Sequence, residues 1–66
     1  MNFIWVVTTT GIRESYRDTF LNTDDISAIT VTKKQPKYEI YMNSGTIFRT
    51  KDEDSTLRDW MREVMA

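Results

Sequence analysis

The chain has 66 residues, with nine Lys and Arg against ten Asp and Glu, no Cys and no His. A chain of this length is expected to form one small domain, 1–66, whose core supplies only ~3–5 kcal/mol. Disulfides and thiolate metal sites are excluded, the commonest metal ligand and general base is missing, and a net charge of −1 exerts no general pull on nucleic acid or membrane.

Residues 2–9, Asn-Phe-Ile-Trp-Val-Val-Thr-Thr, are dominated by β-branched and aromatic types and predict a first strand. Alternation puts Phe3, Trp5 and Val7 on one face and Ile4, Val6 and Thr8 on the other. Both faces are apolar, so the strand is expected to be covered on both sides. Trp5 and Trp60 are then expected to meet in the core; the alternative for either is an exposed anchor for a partner. Gly11 punctuates the chain. Residues 15–22 read as a second strand, with Tyr16, Asp18 and Phe20 opposite Arg17, Thr19 and Leu21.

Asn22-Thr23-Asp24-Asp25 is turn chemistry, because short polar side chains bond the local backbone. Residues 26–33 predict a third strand, with Ile29 and Val31 facing away from Ala28, Thr30 and Thr32. Lys34-Gln35-Pro36-Lys37 reads as a hairpin loop. Residues 37–43 then alternate cleanly, with Tyr38, Ile40 and Met42 inward and Glu39 and Tyr41 outward. Asn43-Ser44-Gly45 is the strongest turn signal in the chain, and residues 46–51 complete that hairpin.

The period changes after that. Leu57, Trp60, Met61, Val64 and Met65 share one helical face, predicting an amphipathic helix over 54–65. Asp52, Glu53 and Asp54 stand at its start, where the helix dipole favours anions. Asp54 or Ser55 is the expected N-cap, Thr50 and Glu53 have capping-box spacing, and Arg58 is placed to pair with Asp54. About three turns of helix are not stable alone, so the apolar stripe must pack on the sheet. The expected fold is α+β, mostly β: a five-stranded antiparallel meander, as an open sheet or partly closed small barrel, with one C-terminal helix packed on it.

The longest apolar run, 3–7, is far short of a membrane span or a secretory core, and no basic segment precedes it. The expectation is a cytoplasmic protein with Met1 as its native start.

Phe20-Leu21-Asn22, Asp25-Ile26, Ile29, Ile40, Met42-Asn43-Ser44-Gly45, and Lys51-Asp52-Glu53 with Ser55 before a helix form a recognisable succession over 19–64. It resembles the short FlbD/SwrD-type flagellar and swarming-motility proteins. Arg13-Glu14-Ser15-Tyr16, Leu21-Asn22 and Asp25-Ile26 are similar to a stretch in the C-terminal part of LytTR DNA-binding domains. Both resemblances imply a hairpin-then-helix layout and a protein that acts by binding.

No nucleophile motif, phosphate loop or metal spacing accompanies the carboxylates, so no enzyme and no cofactor is expected. The Asp52–Asp54 run lacks the spacing of a calcium loop and serves the helix start. Tyr16, Arg17, Tyr41 and Arg49 are the candidate contacts for a protein partner. Lys33, Lys34, Lys37 and Arg49 are the candidates for phosphate contact under a nucleic-acid reading, although Lys at a hairpin tip or sheet edge commonly blocks unwanted pairing. A meander leaves open edges for a partner strand or a two-fold homodimer. The expected function is a small interaction module, a regulator or inhibitor of a larger partner. A phage or mobile-element accessory protein and a bacterial motility regulator are two settings for it. The alternative is a small nucleic-acid-binding regulator.

Overall fold

A computed structural model describes residues 2–10, 15–34 and 37–65. Gly11, the Arg13-Glu14 pair, Gln35, Pro36 and the Met65 side chain lie outside the described residues. The order is β1 (Phe3–Thr8), β2 (Arg17–Asn22), a one-turn 3-10 helix (Thr23–Asp25), β3 (Ile26–Val31), β4 (Tyr38–Met42), β5 (Ile47–Thr50) and α1 (Ser55–Met65). The protein is α+β and mostly β, as expected, and it is not a closed barrel.

The strands divide into two antiparallel sheets, β1-β2 and β3-β4-β5. Among the described residues one bridge joins them: Thr9 and Arg49 exchange backbone bonds of 2.9 and 2.8 Å. The ladder therefore runs β2-β1, across the bridge, to β5-β4-β3. Among the described residues β2 and β3 do not pair, which leaves them as the two outer edges.

The break between the sheets follows from local chemistry. Asn22 caps the 3-10 turn, its side chain accepting from the Asp24 N–H at 3.1 Å. The Thr23 N–H donates to the Asn2 carbonyl at 2.9 Å, which holds the turn on the first sheet. The Asn43 N–H donates to the Asp25 carbonyl at 2.7 Å, which holds it on the second. The turn redirects the chain from one sheet to the other instead of closing a hairpin.

The β4–β5 hairpin closes through Met42, whose carbonyl accepts from the Gly45 N–H at 3.0 Å and whose N–H donates to the Thr46 carbonyl at 2.9 Å. Gly45 has φ +97°, and a Cβ there would meet no atom within 4 Å. The only cost of a side chain is therefore the backbone conformation. Gly45→Ala is expected to lower stability by about 1–2 kcal/mol in urea unfolding, and Gly45→Asn by less. An unchanged midpoint for the alanine variant would show that the turn relaxes freely.

The core is one cluster of Val6, Leu21, Tyr38, Ile40 and Leu57, with Ile4, Ile26, Ile29, Met42, Phe48, Trp60 and Met61 packed against it. It joins both sheets and the helix. Strict alternation would put Ile26 and Ile29 on opposite faces of β3. The register shifts between Ile26 and Ala28, so Ser27 is a bulge and both isoleucines turn inward. The Ser27 hydroxyl donates to the Tyr41 carbonyl at 3.0 Å. Val31, at the end of the edge strand β3, is exposed.

Two threonines in the first sheet satisfy each other: the Thr8 and Thr19 hydroxyls lie 2.9 Å apart. Buried Thr50 accepts from the Tyr38 N–H at 3.3 Å and donates to the Asp52 carbonyl at 3.2 Å, which bends the chain out of β5 toward the helix. Asp54 is the helix cap, its Oδ1 accepting from the Leu57 N–H at 2.9 Å. Thr50 and Glu53 do not form the expected capping box; each has a different partner. Among the described residues no helix is long and apolar enough to cross a membrane.

Candidate interaction face

The register of the first sheet decides where its large side chains go. Trp5 stands opposite Phe20, Phe3 opposite Asn22 and Val7 opposite Asp18. Ile4, Val6 and Leu21 take the other face into the core. The expectations that β1 is covered on both sides and that Trp5 meets Trp60 in the core do not hold. Trp60 does pack against the core, but Trp5 is 52% exposed, with Phe3 at 55% and Phe20 at 71%. The reason is a shortage of covering elements. The helix packs on β1, with Leu57 and Val6 together in the core, and among the described residues no element covers the outer face.

The start of α1 lies beside this outer face. Trp5 and Val7 form one side of an open cleft of about 250 Å³, with Glu53, Asp54, Ser55 and Thr56 on the other. A second cleft of about 350 Å³ shares Val7, Glu53 and Asp54 and adds Tyr16, Thr50, Lys51 and Asp52. The carboxylates are held in place. Asp54 caps the helix, and the buried Tyr38 hydroxyl donates to Glu53 Oε1. Burial, and then the bond to and the charge of Glu53, push the Tyr38 pKa up to about 12. Tyr38 is therefore a neutral donor at any ordinary pH.

Of the residues singled out in the sequence, Tyr16 lines the cleft and Arg17, Tyr41 and Arg49 do not. Arg17 is exposed at the start of β2, opposite Thr8. Tyr41 is half-buried on the outer face of the second sheet, between Ala28 and Ile47. Arg49 donates from Nε to Glu39 at 3.1 Å. Lys33 and Lys34 are exposed in the turn after β3, and Lys37 is half-buried with Nζ 6.0 Å from the centre of the Tyr38 ring. Among the described residues no group of three or more Asp and Glu is placed to hold a metal ion.

Comparison with protein-family models, with curated proteins and with solved structures finds no match to this chain.

Sequence reasoning offered Trp5 as an exposed anchor only as the alternative, and it did not foresee the exposed face of Phe3, Trp5 and Phe20. A signal for it was present on β2, where Asp18, Phe20 and Asn22 alternate together. Two polar residues on either side of a lone aromatic mark a face turned to water. β1 carries no such marker.

Proposed function

We propose that this protein is a non-enzymatic protein-interaction module that regulates or inhibits a larger partner by docking Phe3, Trp5 and Phe20 against it. The supporting observation is that these three aromatics lie together on one face, each more than half exposed. Exposed aromatics cost solubility, and a contiguous apolar patch of this kind marks interaction surfaces. Trp is also the residue type most enriched where binding energy concentrates. The resemblance to short flagellar and swarming-motility proteins is in keeping with a regulator of this size. The nucleic-acid alternative is weakened because Arg49 is already paired with Glu39.

The test is an affinity pull-down from host lysate, with and without nuclease, using the native chain, Trp5→Ser and Phe20→Ser. Both residues lie outside the core cluster, so each variant is expected to stay within about 1 kcal/mol of the native stability. Recovery of a nuclease-resistant partner is expected to fall by more than about tenfold. Equal recovery by folded variants would reject the face, and recovery of only nuclease-sensitive material would favour the lysine turn.

A further inference from the structure

Building on the proposed interaction face, we infer that its occupant is an extended segment of a partner protein carrying a Lys or Arg beside an apolar residue. The apolar side chain covers Trp5 and Phe20, and the cation enters the cleft between Trp5 and the start of α1.

Charge complementarity carries this choice. Among the described residues, Asp52, Glu53 and Asp54 line the paired clefts together with one cation, Lys51. Two of these carboxylates are fixed before any ligand arrives, Glu53 by the Tyr38 hydroxyl and Asp54 by the Leu57 N–H. These bonds engage Glu53 Oε1 and Asp54 Oδ1, and a carboxylate has a second oxygen able to accept from a guanidinium or ammonium. Trp5 and Val7 form the opposite wall. An apolar wall suits the methylene stem of Lys or Arg, and an indole face attracts the cation itself. The apolar face and the acidic cleft share Trp5, so one short segment can fill both.

The same charges disfavour other occupants. Phosphates of nucleic acid and anionic lipid headgroups would meet the acidic rim. A second copy docked face to face by two-fold symmetry would bring the two acidic rims together.

The experiment is selection of a phage-displayed random peptide library on the purified protein, followed by fluorescence titration of one enriched synthetic peptide. The enriched sequences are expected to carry Lys or Arg within two positions of an aromatic or aliphatic residue. Affinity for the peptide is expected to fall at least about tenfold in Trp5→Ser, and similarly in Glu53→Gln/Asp54→Asn. The double variant removes two charges while keeping both acceptors, for Tyr38 and for the Leu57 N–H. Affinity of the native protein is also expected to drop with added salt, a measurement that depends on no variant. Peptides that need Trp5 but carry no cation, and bind independently of salt, would overturn this inference and leave the interaction face standing. Peptides indifferent to both Trp5→Ser and Phe20→Ser would overturn both. A dimer in light scattering that Trp5→Ser converts to monomer would assign the face to a second copy and overturn the basic segment, as would a selection that enriches nothing.

Discussion

Leu57→Ala is expected to leave the protein largely unfolded at room temperature. Leu57 is fully buried and is the one helix residue among the five at the centre of the core. Replacing such a leucine by alanine costs about 2–5 kcal/mol, from lost transfer energy and from the cavity left behind. A domain of this size has only ~3–5 kcal/mol to lose. The helix is also too short to persist without its packing, so its loss and the loss of the core are one event. The control is Val64→Ala, on the same helical stripe but exposed, which is expected to change stability by no more than about 0.5 kcal/mol. Far-UV circular dichroism with urea titration reads both. A native-like midpoint for Leu57→Ala would mean that the β-sheets stand without the helix.

The second large effect is alkaline destabilisation through Tyr38. Its pKa is raised from 10.0 to about 12 in the folded protein, chiefly by burial and then by the hydrogen bond to Glu53. In the unfolded chain the phenol ionises near 10, so above that pH the unfolded state binds fewer protons than the native state. The contribution is therefore complete below pH 10, falls as pH rises through the interval from 10 to about 12, and is gone above it. The full change is on the order of 2–3 kcal/mol. Urea midpoints collected across this range are expected to fall steeply for the native protein. Tyr38→Phe has no phenol to ionise and is expected to show a flatter profile, after a loss of about 1 kcal/mol near neutrality. Tyr16, Tyr41 and the lysines are present in both proteins, so the difference between the profiles isolates Tyr38. Parallel profiles would mean that the phenol reaches water in the native state.

Both effects meet at the junction of β4, β5 and α1, and so does the candidate site. Tyr38 holds Glu53, Thr50 bends the chain, and Asp54 starts the helix. The cleft beside Trp5 is thus built from residues that also stabilise the fold. For that reason the binding test keeps each acceptor and changes only charge.

Much of this architecture is legible residue by residue. Tyr38 and Ile40 inward, the turn at Gly45, the polar turn at Asn22, and a helix starting at Asp54 or Ser55 with Leu57 on its buried face all follow from alternation, turn chemistry and period. These depend on neighbours within a few positions, and the sequence states those neighbours directly. Of the cleft, Tyr16 was legible as a candidate contact, and the acidic run was legible only as the start of the helix. The aromatic half was not. Phe3, Trp5 and Val7 look like core by type, and they face water because no element among the described residues covers them.

By itself, then, the sequence determined the strands, the turns at Asn22 and Gly45, and the helix, because each rests on short-range hydrogen bonding and side-chain period. The tertiary structure alone decided three things: which face of β1 is open, that Ser27 bulges so that Ile26 joins Ile29 inside, and that the chain divides into two sheets at Asn22. These depend on how many elements compete to cover a given surface, and on bonds such as Asn43 to Asp25 between residues distant in the chain. Burial is a property of the whole assembly, and a local pattern specifies only which residues are eligible for it.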